Sequence, residues 1–355
     1  MSRFIRFAAM AFAASSLTLA GCSDNGDQAT ESSAAAEQGD TTLNVYSARK
    51  EHLIEPLLER FTQETGIEVK LLTAKAGALL SRLESEGQNT PADLLITVDA
   101  GNLQRAKEAG IFEAVESDAL TERVPANLRD VDNQWFGLSQ RARVIFTHKE
   151  RVEDGAITSY ADLADPKFKG RICIRSSDNV YNQSLVASLI AANGEEWTQE
   201  WAEGLVANLA RKPQGGDRDQ IRAVAAGECD IAVANTYYYG AMQNGSDTDR
   251  DAADAVRLVW PNQEDRGAHV NVSGAGMVAA SDKAQAIDTL LDFLTTESSQ
   301  EWYAQVNNEF PVRPGVPASD TLAQWGDFKA DDLNLSKLGE LNPDAVRLMD
   351  RAGWQ

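Results

Sequence analysis

The chain has 355 residues, 54 acidic against 33 basic side chains, and a formal charge of −21. Nucleic acid and anionic lipid are themselves polyanions, so this balance argues against both as partners. It suits a soluble exported protein and would favour a cationic ligand in a general way.

The first 21 residues read as a signal peptide. A basic start, Met-Ser-Arg-Phe-Ile-Arg, leads into an apolar run from Phe7 to Ala20 broken only by Ser and Thr, then Leu19-Ala20-Gly21-Cys22. Such a segment is too short to span a bilayer as a mature helix, and Cys22 at the cut is the expected site of lipidation. Residues 22–41 are rich in Ser, Ala, Asp, Glu, Gln and Gly and read as a tether that cannot bury a core. The folded part is therefore expected at a membrane outside the cytoplasm, in the periplasm or at the cell surface, attached only through that lipid. Cys173 and Cys229 are then the remaining cysteines. An oxidising compartment favours a bridge between them, with two buried thiols as the alternative.

About 315 residues follow, more than one hydrophobic core usually holds, so two domains are expected. Thr42 to Tyr46 reads as a strand and Glu51 to Thr65 as an amphipathic helix ended by Gly66. Ile67 to Thr73 and Ala92 to Ile96 read as strands, Ala78 to Glu86 and Asn102 to Glu108 as helices. This βαβαβ run implies a parallel, doubly wound sheet whose ligand side lies at the carboxyl ends of the strands, which places Tyr46, Ser47 and Arg49 toward a cleft. A break follows, with a long β-like segment ending in Arg141-Ala-Arg-Val-Ile-Phe and shorter segments at Tyr160 to Leu163 and Gly170 to Arg175. Helices are expected over Gln183 to Asn193, Glu196 to Leu209 and Ile221 to Gly227, a strand from Gly267, and helices over Lys283 to Thr295 and Ser298 to Asn307. Two α/β layers with two segments crossing between them describe a two-lobed cleft that closes by hinge motion. The lobes divide as 42–140 plus about 268–308, and about 141–267 plus 309–355.

The segment from Cys229 to Gly240 reads as a buried strand running into three consecutive tyrosines, with Gly240 letting the chain turn. Successive strand residues point to opposite faces, so at least one of Tyr237, Tyr238 and Tyr239 must face a cleft, water or a ligand. Plain packing at a sheet edge is the competing reading. Enzyme motifs are missing: no Gly-x-Ser-x-Gly, no His-Glu-x-x-His, no phosphate loop and no dinucleotide fingerprint. His52, His148 and His269 are scattered, so an exported hydrolase built on one of the last two is the least supported reading.

A phenol titrates near pH ~10 and ionises at neutral pH only beside a strong positive charge. Ferric iron is small, trivalent and suited to oxygen donors, and several phenolates on one cation favour Fe(III) over divalent ions.

Tyr46-Ser-Ala-Arg49, Pro91-Ala-Asp-Leu-Leu, Arg141-Ala-Arg-Val, Ser176-Ser-Asp-Asn-Val-Tyr181-Asn-Gln, the Gly227 to Gly240 segment and Val270-Asn-Val-Ser-Gly-Ala-Gly occur in that order. Together, over nearly all of residues 42–312, the chain resembles the bacterial ferric-iron-binding proteins of ABC transporters, a transferrin-like family with a type II-like periplasmic-binding-protein fold. The resemblance implies a monomeric, non-enzymatic binding protein that delivers Fe(3+) to an ABC permease. It also implies that Tyr181, Tyr237 and Tyr238 ligate the metal while Tyr239 packs. Many relatives carry a His-Tyr pair after the Tyr-Ser-x-Arg motif; here those places hold Lys50 and Glu51. Open coordination sites are then left for water, an anion such as carbonate, or the Glu51 carboxylate, although Glu51 reads first as a charge complementing a helix start. Arg141 and Arg49 offer guanidinium forks for the anion, and for Arg141 a salt bridge across the hinge is an equal alternative. A binding protein of the same fold for a small organic or anionic solute is the second functional reading.

Overall fold

The computed structural model describes residues 42–355. The signal segment, Cys22 and the tether lie outside the described residues.

Three β/α units open this region: β1 (Thr42–Ser47), α1 (Glu55–Thr65), β2 (Glu68–Thr73), α2 (Ala76–Glu86), β3 (Leu94–Val98) and α3 (Ala100–Glu108). In α1 the apolar spacing buries Leu57, Leu58 and Phe61, and Gly66 stops the helix at φ +77°, a left-handed conformation that glycine adopts without strain. The chain continues through β4 (Phe112–Glu113), α4 (Asp118–Arg123), β5 (Phe136–His148) and β6 (Ile172–Cys173). Then come α5 (Val180–Asn193), α6 (Glu195–Ala207), α7 (Asp217–Ala226), β7 (Ile231–Asn235), α8 (Thr236–Gln243), α9 (Asp247–Asp254), β8 (Val256–Val259) and β9 (Val270–Val278). The helices α10 (Ala284–Leu294), α11 (Glu297–Asn307), α12 (Asp320–Ala323), α13 (Ser336–Glu340) and α14 (Asn342–Arg351) complete the fold. The segment Tyr160 to Leu163 is not a strand: Ala161–Ala164 forms a 3-10 turn.

The sheet runs β2-β1-β3-β9-β5-β7-β6, with β4 also paired to β9 and β8 to β5. β1 is parallel to both β2 and β3, as the βαβαβ pattern requires, but β9 enters antiparallel beside β3 and β5 antiparallel beside β9. The sheet is therefore mixed rather than wholly parallel. β5 is the strand that passes from one half of the sheet to the other. Phe136 to Ala142 of β5 pair with β9, and from Arg143 onward the same strand pairs with β7 and β8. One continuous strand thus belongs to both halves of the sheet. Two buried clusters flank it: one holds the helices of the β1–β3 half together with α5 and α6, the other holds Ile221, Val224, Tyr239, Met242 and their neighbours. Near the carboxyl end, α13 packs against both α3 and α5, and α14 lies on α5 and α6. Cys173 and Cys229 form a disulfide.

Candidate metal-binding site

The three tyrosines follow a strand end, but as part of a helix rather than as extended chain. β7 stops at Asn235, and Thr236 begins α8, so Tyr237 and Tyr238 are the second and third residues of a helix. The Thr236 hydroxyl accepts from the Ala142 amide at 3.3 Å, fixing the helix start to β5. Helical geometry turns each successive side chain by about 100°, which separates neighbours on a helix without throwing them to opposite faces. Tyr237 and Tyr238 stay together, their ring centroids 4.2 Å apart, while Tyr239 rotates into the core against Phe146 at 5.1 Å and Trp325 at 5.7 Å. Gly240 does not turn the chain. It lies inside α8 and lets that helix approach Asn308.

Tyr181 is the second residue of α5, so all three phenols spring from first helical turns. There the positive end of the helix dipole favours negative charge. The Tyr237 hydroxyl donates to the Tyr181 oxygen at 3.2 Å. Tyr181, Tyr237 and Tyr238 line one cavity of about 390 Å³, shared with Ala48, Arg49, Lys50 and His52 beyond β1, Arg218 of α7, and Asn308 and Glu309. Among the described residues, no group of three or more His, Cys, Asp or Glu side chains is placed to hold a metal ion. The phenol oxygens are the clustered hard donors.

Burial pushes the Tyr181 phenol up to about 12, reinforced by negative charge on Tyr238 and opposed by the Arg141 guanidinium and the hydrogen bond from Tyr237. Tyr237 is pushed well above the ordinary phenol value, first by burial and then by its two tyrosine neighbours, again with Arg141 opposing. At neutral pH both phenols therefore hold their protons. Only a strong cation arriving among them would release those protons.

Arg141 and Arg143 are two residues apart on β5 and so lie on one face of the strand. Arg141 is 2% exposed and its guanidinium lies 5.7 Å from the Tyr181 ring centroid. Its Nη1 donates to Ser273 Oγ at 3.1 Å, while Nε and Nη2 have no partner among the described residues. Among the described residues Arg141 forms no salt bridge, whereas Arg49 does: its Nη2 meets Glu309 Oε2 at 2.7 Å. Arg49 Nη1 also donates to Ser139 Oγ, so the guanidinium expected to clasp an anion is largely taken up by protein groups.

Glu51 does not reach the phenols. It sits exposed in the 3-10 turn Glu51–Leu53 and lines a separate groove with Glu55, Glu59 and Glu68. A 3-10 turn rotates side chains by about 120° per residue, and the next residue, His52, faces the tyrosine cavity instead. Lys50, His52, Arg218 and Glu309 are the ionisable lining residues that sequence reasoning did not assign to the site. For the first two the signal was available, since residues just beyond β1 were expected at the cleft. Of the other histidines, His148 Nδ1 accepts from the Glu150 and Arg151 amides at 3.2 and 3.3 Å, and His269 is 2% exposed. Neither lines the cavity.

Residues 89–329 match the model of a bacterial extracellular solute-binding protein family, and the chain belongs to that family. It is 48% identical over 314 residues to iron uptake protein A1 of Synechocystis, covering 88% of this chain and 87% of that protein. It is 28% identical over 323 residues to the Fe(3+)-binding periplasmic protein of Serratia marcescens, covering 90% and 92%. Among solved structures, Trichodesmium IdiA (FutA) in complex with iron and citrate ligands superposes with a TM-score of 0.86 at 45% identity, covering 88% of this chain and all of that one. Apo FutA2 from Synechocystis gives 0.83 at 46%, covering 89% and 100%. The fold is thus the two-lobed α/β fold of the ferric-binding proteins. The chain is a substrate-binding protein of a transport class, not an enzyme.

Proposed function

We propose that this protein captures ferric iron through the phenolates of Tyr181, Tyr237 and Tyr238 in the cleft between lobes 42–140 plus about 268–308 and 141–267 plus 309–355, and passes it to an ABC permease. The observation that carries the reading is the 3.2 Å approach of the Tyr181 and Tyr237 hydroxyls within a cavity that Tyr238 also lines. On binding, the O–H bonds break, the protons leave to solvent, and the oxygens meet a trivalent ion whose charge offsets their desolvation. The buried Arg141, with two unpartnered nitrogens, is where a synergistic anion such as carbonate would dock and complete the coordination shell. The names of the relatives, an iron uptake protein and an Fe(3+)-binding periplasmic protein, support the cargo. The protein works in the periplasm or at the cell surface as a monomer tethered through Cys22.

Titration with ferric citrate in bicarbonate buffer tests this. A visible phenolate-to-iron charge-transfer band should appear and should weaken sharply in Tyr181→Phe and Tyr237→Phe. A protein that stays colourless under saturating iron would overturn it. The basic wall of Lys50, His52 and Arg218 favours the second reading, an anionic organic solute, which predicts colourless protein stabilised thermally by that solute.

A further inference from the structure

Two tyrosines on different helices can share one cation only if their helices hold register to within about 0.5 Å. Among the described residues, the Tyr181 and Tyr237 hydroxyls bond only to each other, so their spacing is set from behind. Asn182 follows Tyr181, and Asn235 precedes Tyr237 by two residues; both amides are buried, at 0% and 2% exposed. A single guanidinium reaches the two of them. Arg143 Nη2 donates to Asn182 Oδ1 at 2.5 Å, and its Nη1 donates to Asn235 Oδ1 at 2.9 Å.

This fork is itself held firmly. Arg143 and Asn235 are opposed partners in the β5–β7 ladder, so the arm toward α8 is built into the sheet. Asp217 takes Arg143 on one oxygen at 3.0 Å and Arg175 on the other at 2.7 Å. Asn182 Nδ2 donates to the Arg175 and Ser176 carbonyls at 2.9 and 3.0 Å, which pins the loop leading into α5. Two arginines against one aspartate leave a net positive charge in this buried group. A lysine could supply that charge but not the two-armed geometry.

We propose that Arg143 is a positioning residue of the iron site. By clamping Asn182 and Asn235 it fixes the separation of the Tyr181 and Tyr237 oxygens, and so sets how tightly the trivalent ion is held without touching it. This rests on the tyrosine reading above.

Two variants test the clamp in the full chain. Arg143→Lys keeps the charge and loses the fork; Asn182→Ala deletes one arm and leaves the Arg143–Asp217–Arg175 pairing in place. The readouts are the position of the charge-transfer band, the rate at which a competing chelator strips iron, and the melting of the iron-free protein. Both variants should fold, show a displaced band, and lose iron about 10- to 100-fold faster, the usual cost of removing a group that orients a metal ligand. If Arg143→Lys fails to fold, Asn182→Ala decides. A wild-type band and stripping rate in Asn182→Ala, even with lowered melting, would reduce the network to ordinary scaffolding and overturn the proposal. A wild-type protein with no band, or one whose band survives Tyr181→Phe, would bring down the tyrosine reading and the clamp together.

Discussion

Arg49 and Glu309, 260 residues apart in sequence, form an ion pair 2.7 Å long that is almost wholly buried at the wall of the tyrosine cavity. Ser139 donates to the same Glu309 oxygen at 2.8 Å, so the pair ties the segment after β1 to β5 and to the chain beyond α11. Removing one member of such a pair strands a desolvated charge, at a cost of about 3–5 kcal/mol, whereas replacing both with apolar groups costs much less. Glu309→Leu alone should therefore lower stability by about that amount, and Arg49→Met with Glu309→Leu should recover most of it. Urea unfolding of the four proteins in a double-mutant cycle measures the difference. Equal stability of Glu309→Leu and wild type would contradict it.

Buried phenols give the iron-free protein a defined alkaline limit. Burial pushes Tyr181 up to about 12, and Tyr160, Tyr237 and Tyr303 are also raised, each chiefly by burial. A folded value above the unfolded ~10 means that the native state holds its proton where the unfolded chain has released it. This contribution is intact below pH ~10 and is lost as pH rises through the folded values. Denaturation of the iron-free protein at pH 8, 10 and 11 should show stability falling mainly across the last interval, with a smaller fall in Tyr181→Phe.

Gly240 and Asn308 set a close approach between α8 and the end of α11. A Cβ at position 240 would lie 2.8 Å from the Asn308 Cβ and Cγ. Gly240→Ala should displace α8, carrying Tyr237 and Tyr238 with it, and speed iron loss to a chelator by about tenfold or more, in line with disturbed support of a metal ligand. Asn308 has φ +54°, a conformation glycine accepts readily. Adding Asn308→Gly should therefore restore retention, and a double variant no better than Gly240→Ala would rule out this contact as the cause.

The Cys173–Cys229 disulfide closes a separation of 56 residues. Chain entropy alone assigns such a loop about 4 kcal/mol. Because β6 pairs with β7, which leads directly into α8, reduction should lower thermal stability before it affects binding. Melting with and without dithiothreitol, beside Cys173→Ala with Cys229→Ala, checks this. Coincident curves in all three cases would contradict it.

The alternation of strands and helices was legible because burial periodicity is local: Leu57, Leu58 and Phe61 mark α1 without reference to anything else. Sheet order was not legible, since nothing near Val270 says that β9 will separate β3 from β5. The end of β7 was legible in the sequence, but the helix that starts at Thr236 was not, because three tyrosines in a row carry no helical period. Every residue of β7 is buried, so its end was marked by the polar pair Asn235-Thr236 rather than by alternation. The same loss of period hid Arg143, which lies beside Arg141 in an apolar run and acts through partners 39 and 92 residues away. Glu51 takes the helix-start place that its charge suggested, and one step of rotation in a tight turn brings His52, not Glu51, to the tyrosine cavity.

The central position of β9 governs the order in which the sheet can be assembled. β3 must leave one margin open until residues 270–278 have been made, well over a hundred residues later. During that interval an apolar ribbon with unsatisfied amides is exposed to any neighbouring chain. A nascent polypeptide of this kind needs either a holding chaperone or rapid completion, and truncation before Val270 should yield inclusion bodies rather than a half-sized domain.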